Sequence, residues 1–364
     1  MTRGVELTPF RGLAALQAAR SDWACAFERA DVDPLGNAPD WGLAYASAWL
    51  RDAEVFGWTA RCGGDVVGFL PLRHEPRRSP LALRRALLLP DGTFDSDYLD
   101  LVVRPEHRAE VLDALLFELD RTRGVDAVVF SCIPTDSPTP GLLREALRVR
   151  RRPFREREVP CLAAPLPGTF DAYLRGLPKR MRTKVRRALR EAAARGARHA
   201  WTAATDLEEL LEQLFALHTA RWNAIGRPGS FGDERRRRFY ADLAQAWAEQ
   251  GKLRMVRLEL DGEVVAIQFG VREGDTYYQM QEGYAPEHAS WRAATALRAL
   301  AVSDLIDEGV RDYDFMGGDD RHKLDWGGVP RPCRTFAFPV GGLRARAAYR
   351  LRALLDARAE RAAT

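Results

Sequence analysis

Long apolar runs are missing from these 364 residues. None approaches the roughly 18 to 20 residues that cross a bilayer, and the opening Met1-Thr2-Arg3-Gly4-Val5-Glu6 lacks the apolar core of a secretion signal. No membrane span is expected, and a cytoplasmic location is the default. Cysteine is scarce: Cys25, Cys62, Cys132, Cys161 and Cys333 form no CxxC pair and are odd in number. That argues against a disulfide framework or a zinc knuckle and leaves buried thiols as the expectation. Six dispersed histidines show no HExxH pair, so no metal is expected. Lysine is nearly absent, with only Lys179, Lys184, Lys252 and Lys323 among 55 basic residues. A net charge of +4 gives no case for a DNA partner, and only local clustering bears on nucleic acid.

What is present is length and period. A chain of this size exceeds what one core usually organises, so two domains are expected. The first half shows helix-like segments at about 12–30 and 41–51. Strands at 55–61 and 66–72 then flank the turn Cys62-Gly63-Gly64-Asp65. Further strands are expected at 85–89 and 97–103, then a helix opened by Pro105 and the apolar run 127–132. The second half repeats that order. Helices at about 178–195, 206–225 and 232–250 precede strands at 253–260, 264–271 and 276–284, a helix to Glu308, and strands at 313–316 and 334–340. The repeat is one of architecture, without convincing identity between the halves. The expected domains are residues 1–164 and 165–342, followed by an Ala/Arg-rich amphipathic tail, 343–364.

The most informative stretch is Arg311-Asp312-Tyr313-Asp314-Phe315-Met316-Gly317-Gly318, where a short strand ends in paired glycines that let the backbone turn through φ > 0. With the strand 276–284 and the helix behind it, the order is strand, helix, strand. Ligands in open α/β sheets sit outside the carboxyl ends of the strands, which places Glu282, Tyr284 and Asp314 around one expected crevice.

An ordered series of residues carries a resemblance. Leu177-Pro178-Lys179-Arg180-Met181-Arg182 runs into Lys184-Val185-Arg186-Arg187, then His218-Thr219-Ala220-Arg221-Trp222, Arg238-Phe239-Tyr240, Gly251-Lys252-Leu253, and Asp261-Gly262-Glu263-Val264-Val265-Ala266. Tyr313 to Gly318 with Lys323 and Trp326 closes it. Over about 165–340 the chain resembles the GNAT acyltransferase superfamily, in particular its CelD-like subgroup, which is similar to the Fem-type aminoacyl transferases in having two GNAT-like domains. The resemblance implies an α/β fold of two tandem GNAT-like domains, each a mixed central sheet flanked by helices. It implies an N-acyltransferase whose cosubstrate is acyl-CoA, with acetyl-CoA the expected form, and whose acceptor is an amine of a small or cell-envelope-related molecule.

Acyl transfer needs a neutral amine, hence a group that removes its proton, and N–H donors for the oxyanion. Strict alternation puts Tyr278, Met280, Glu282 and Tyr284 on one strand face. By resemblance the carrier's pantetheine arm lies along this strand and its diphosphate on the N-terminus of the next helix, which favours anions. Glu282 is expected as general base, Asp314 as sharing that role or binding the amine, and Tyr284 as the acid for the leaving thiolate. An ion-paired carboxylate or a core tyrosine is the plainer reading of each. Gln268, a polar interruption of an apolar strand, is either a substrate contact or a structural hydrogen bond.

At the helix start this chain has Ser290-Trp291-Arg292-Ala293 where the subgroup typically carries a small residue and a glycine. Those four residues are the expected donor-binding turn, with Arg292 supplying positive charge and Trp291 crowding the backbone. By resemblance Lys323 and Trp326 line the acceptor pocket, with a C-terminal packing cluster as the plainer reading, and Arg221 and Trp222 have similar status. Tyr278, on the strand face of Glu282, is a further substrate-binding candidate, and so is Asp97, whose acidic segment 95–100 is expected to face the cleft between the domains. The helix from Lys179 to Arg190 carries seven cations in twelve residues. It is either a solvated face or a phosphate-binding one, and in the second case tRNA becomes an alternative donor in a Fem-like aminoacyl transfer. A catalytically silent double-GNAT binding protein is the third reading.

Overall fold

The computed structural model describes residues 4–77, 79, 82–91, 95–202, 206–342, 345–349 and 351. These fall into two compact units, residues 1–159 with 332–364, and Pro160–Arg331.

The first unit contains strands β1 (Val5–Arg11), β2 (Val55–Cys62), β3 (Asp65–His74), β4 (Arg85–Leu88), β5 (Val102–Val103), β6 (Ala127–Pro134) and β7 (Arg155–Val159). Its helices are α1 (Leu13–Ala18), α2 (Arg20–Phe27), α3 (Pro39–Trp49), α4 (Arg108–Arg121) and α5 (Thr139–Val149). The second unit contains β8 (Cys161–Pro165), β9 (Arg198–Trp201), β10 (Leu253–Leu260), β11 (Glu263–Glu273), β12 (Thr276–Tyr284), β13 (Asp312–Gly317) and β14 (Val329–Pro330). Its helices are α6 (Phe170–Gly176), α7 (Lys179–Ala194), α8 (Leu207–Asn223), α9 (Glu234–Glu249), α10 (Ala293–Asp307) and α11 (Arg321–Asp325). The chain then returns to the first unit as β15 (Cys333–Pro339).

The two sheets have the same plan. The first runs β1-β2-β3-β4-β6-β15-β7, with β5 on β3, and the second, read from its other edge, runs β9-β10-β11-β12-β13-β8-β14. In each, a meander of four strands is followed by one parallel pair, β4 with β6 and β12 with β13. A parallel neighbour needs a crossover, and α4 and α10 supply it. The α/β expectation of two mixed sheets flanked by helices holds.

The expected limits at 164/165 and 342 do not match this division. β8 starts at Cys161, inside the second unit. β15, expected in the second domain, is flanked by β6 and β7 of the first. The cause is apolar: Phe336, Phe338 and Val340 are fully buried in the first unit's core, with the Phe338 ring edge-on to Phe130 at 5.7 Å. The expected helix 12–30 is two short ones, and of the strand expected at 97–103 only Val102–Val103 pairs. Asp100 is instead taken up by buried Arg108, 3.2 Å away. β1, α5, β7, β8, α6, β9 and β14 lack a clear sequence signal. Of the tail, 345–349 and 351 are helical, and the Tyr349 hydroxyl donates to Ala337 O at 2.6 Å; the remainder of the expected amphipathic helix lies outside the described residues.

Candidate active site

The strand that carries the candidate carboxylate does not alternate evenly. Along β12 the register against β11 runs Phe269↔Gln281 and then Gly270↔Gln279, so Met280 is an extra residue. Such a bulge reverses the phase of the side chains beyond it. Tyr277, not Tyr278, therefore shares a face with Glu282. Gly270 makes room for this arrangement: a Cβ there would fall 2.4 Å from the Tyr277 ring. The expected common face of Tyr278, Glu282 and Tyr284 is thus corrected at its first member.

On that face a buried polar network replaces the apolar core. Glu282 Oε2 accepts from Arg298 Nη2 at 2.6 Å and from Gln268 Nε2 at 2.9 Å, while Oε1 lies 3.5 Å from Arg221 Nη1. The Tyr313 hydroxyl donates to Gln268 Oε1 at 3.2 Å. Both ends of the Gln268 amide are thus hydrogen-bonded within the network. Burial alone would raise the Glu282 carboxyl, but the guanidiniums of Arg298 and Arg221 and the Gln268 amide outweigh it and hold the carboxyl below its ordinary range. A carboxylate so engaged is a weak proton acceptor. Glu282 thus bridges Arg298 and Arg221.

Asp314 is not part of this face. It is fully buried, with Oδ1 accepting from Met316 N at 2.6 Å and Oδ2 from Arg331 Nη1 at 3.1 Å. Parallel pairing sets Tyr277 beside Tyr313, and alternation then turns Asp314 the other way. The expected pair of acids around one crevice is replaced by one acid and one tyrosine.

The network opens into a cleft of about 240 Å³ in the second unit. Its wall includes Lys184, Arg221, Arg292 and Arg298 against one carboxylate, Glu282. Tyr284, Thr295, His322 and Trp326 also line it. The first residues of α10, Ala293 to Thr295, face the opening, so the unpaired N–H groups of a 15-residue helix add to the positive field. Two guanidinium nitrogens, Arg292 Nη1 and Arg298 Nε, are buried without a hydrogen-bond partner. Partial burial, then the neighbouring Arg292 and Arg298, lower the Lys184 ammonium. Cations crowded this closely favour an anion among them.

The turn before α10 reaches this arrangement without a glycine. Pro286–Trp291 forms a short 3₁₀ segment, and Arg292 then takes φ 68°, ψ 49°, the left-handed conformation, as it caps the helix. The expected crowding by Trp291 does not occur. Its indole is buried with Val256, Leu258 and Leu297, and its Nε1 donates to His288 Nδ1 at 3.2 Å. Of the four residues expected at the donor, Arg292 and Ala293 line the cleft, whereas Trp291 is core and Ser290 is exposed away from it.

Arg221 and Trp222 lie on α8. The Arg221 guanidinium sits 5.5 Å from the Tyr284 ring centroid and 5.7 Å from that of Trp222. Trp222 Nε1 donates to His218 Nε2 at 2.9 Å, and burial lowers that imidazole to about 4, so it remains a neutral acceptor. Trp326 lines the cleft under Arg298, 5.3 Å from its centroid. Lys323 does not: its buried ammonium donates to the Gly317 carbonyl and holds the turn closed. Asp97 belongs to the first unit, where it accepts from the Cys132 thiol at 3.4 Å.

Among the lining residues that escaped sequence reasoning are Arg298 and His322. Arg298 had a signal, a lone cation in the apolar helix between Leu297 and Ala301, since a buried charge demands a partner. His322 had none, because it sits on a five-residue helix with no period to read.

Residues 179–324 match the family model described as an acetyltransferase (GNAT) domain. No curated protein matches the chain. Among solved structures it is similar to FemX, with 13% identity, a TM-score of 0.63, and coverage of 91% of this chain and 98% of that one. It is similar to L-PGS from Bacillus licheniformis, with 12% identity, a TM-score of 0.56, and coverage of 87% and 90%. A tandem GNAT protein from the clavulanic acid biosynthesis pathway aligns at 14% identity with a TM-score of 0.50, over 93% of this chain and 99% of that one. At such identities the likeness concerns the fold, and that fold is a tandem GNAT-like one.

Proposed function

We propose that this double-GNAT chain is an N-acyltransferase that moves an acyl group from an acyl-CoA thioester to the amine of a small or cell-envelope-related acceptor. The observation that carries the reading is the cleft at the N-terminus of α10, with four cations to one carboxylate and two guanidinium nitrogens that still lack a partner. A diphosphate meets both demands. In this reading Arg292, Lys184 and the α10 N–H groups hold the phosphates. Glu282 keeps Arg298 and Arg221 in place, and the bulge of β12 opens the ladder beside the thioester. The match of residues 179–324 to an acetyltransferase domain supports the same chemistry.

Calorimetry with acetyl-CoA and with desulfo-CoA, which keeps the diphosphate but lacks the sulfur, tests the donor. Saturable binding of acetyl-CoA that weakens at least tenfold in R292E and K184E is expected. No binding by the unaltered chain at millimolar acetyl-CoA would remove the proposal.

One observation favours a second donor. Helix α7 buries Met181, Val185, Ala188 and Ala192 and turns Lys179, Arg180, Arg186, Arg187 and Arg190 to solvent, while Lys184 of the same helix reaches the cleft. An aminoacyl-tRNA could meet that face through its phosphates. Native gels at low salt would then show tRNA retardation that is lost in a triple charge reversal at Arg180, Arg186 and Arg187.

A further inference from the structure

Acyl transfer to an amine needs a proton acceptor, and both carboxylates expected to serve are occupied. Glu282 is held by Arg298, Arg221 and Gln268, and Asp314 by Met316 N and Arg331. Resting on the acyltransferase reading, we propose that His322 is the group that removes the proton from the acceptor amine.

His322 is the second residue of α11, and its side chain forms part of the cleft wall together with Arg298, Glu282 and Trp326. Its ring makes no hydrogen bond among the described residues, so a nitrogen lone pair is free to accept. The short helix that bears it is pinned at both ends. Lys323 donates to the Gly317 carbonyl, and Lys323 N donates to Asp320 O at 2.9 Å. Beyond the helix Trp326 N reaches His322 O at 3.2 Å, and the Trp326 carbonyl accepts from the Tyr173 hydroxyl at 2.7 Å. Gly328 packs so closely that a Cβ would lie 2.8 Å from Lys323 O. The imidazole thus stands on a fixed base in the cleft wall.

The charges around it set its state. Burial, Arg298 of α10 and Lys323 of its own helix lower the imidazole from its ordinary 6.5, against the opposing effects of Glu282 on β12 and Asp320. The ring is therefore unprotonated at neutral pH, as a base must be before the reaction.

The step balances without another reactant. The neutral amine nitrogen attacks the thioester carbonyl carbon, a C–N bond forms, and the proton leaves the nitrogen for the His322 ring. The tetrahedral oxyanion then collapses, the C–S bond breaks, and the departing thiolate takes the proton back from the imidazolium. An amide and a free thiol result.

The test uses the full chain with acetyl-CoA as donor and glycinamide as a small amine, following thiol release above the enzyme-free rate and expressed per neutral amine, beside calorimetry of acetyl-CoA binding. H322Q is expected to bind acetyl-CoA within twofold of the unaltered chain and to release thiol about 100-fold more slowly. The acid limb of the unaltered chain's pH profile should vanish in H322Q. Release within threefold with the limb intact overturns the assignment, as does a chain that binds acetyl-CoA yet shows no amine-dependent release. NMR of the histidine ring, assigned by its loss in H322Q, gives a readout independent of the donor. Titration below the ordinary histidine value is expected, and a ring that takes up no proton between about pH 4 and 9 overturns the assignment, since a base must gain and lose its proton in the working range. Failure of the unaltered chain to bind acetyl-CoA overturns the donor reading instead, which the ring titration does not touch.

Discussion

Arg298 Nη2 lies 2.6 Å from Glu282 Oε2, and the two side chains are only 6% and 9% exposed. A buried pair of this kind contributes little net stability compared with an apolar pair, but removing one member leaves the other charge unpaired. E282Q should therefore lower the unfolding free energy by about 3–5 kcal/mol. The double variant E282Q/R298M should recover most of that, since the buried charge is then gone and Arg221, the other partner, is 30% exposed and keeps access to water. Urea midpoints read both, and a double variant no more stable than E282Q would show that pairing is not the cause.

His218 makes stability depend on pH. Its folded value of about 4 lies below the ordinary 6.5 because burial disfavours the imidazolium. Between those values the unfolded chain binds the proton more readily, so stability is full above 6.5 and declines as pH falls through the window toward 4. H218Q keeps an acceptor for Trp222 Nε1 but cannot titrate. Its thermal midpoint should change less between pH 7 and pH 5 than that of the unaltered chain. Parallel curves for the two proteins would count against this account.

Arg292 holds a left-handed backbone with φ 68°. Relieving a side chain of that conformation recovers about 1 kcal/mol. R292G should accordingly melt a few degrees higher while binding acetyl-CoA roughly tenfold more weakly, because a charged hydrogen bond to phosphate is lost. A variant that is both less stable and equally tight would contradict the placement of this residue at the cleft.

Gly283 lets α8 lie against β12. A Cβ at that position would fall 2.6 Å from His218 N and 2.9 Å from the Leu217 carbonyl carbon, both backbone atoms of the helix. Backbone cannot give way as a side chain can, so G283A should cost about 1–3 kcal/mol. It should also shift Arg221, which the same helix carries into the cleft. Circular dichroism melts measure the first effect and acetyl-CoA affinity the second. No change in either would mean that the helix is not seated as described.

The limits of the sequence show at particular residues. Strands β10 and β12 follow the expected 253–260 and 276–284, because alternation and the bounding turns Asp261-Gly262 and Gly274-Asp275 are local signals. Helices α7, α8 and α9 differ from expectation by a residue or two at each end, as fraying ends do. Even the repeat of architecture was visible. The phase of β12 was not, because the extra residue at Met280 is defined only against β11. The place of Glu282 near a strand end is a local signal, but its neighbours Arg298, Arg221 and Gln268 come from three other elements, and they engage both of its carboxylate oxygens.

What the chain determined by itself was local: the positions of helices and strands, their turns, and a basic helix ahead of a meander. Tertiary structure decided which sheet takes β15, where Asp314 points, and which cations gather at α10. The division has a physical reason. Period and turn chemistry act between residues a few positions apart, whereas strand partners, bulges and buried ion pairs are chosen by burial among segments that the backbone joins only at a distance.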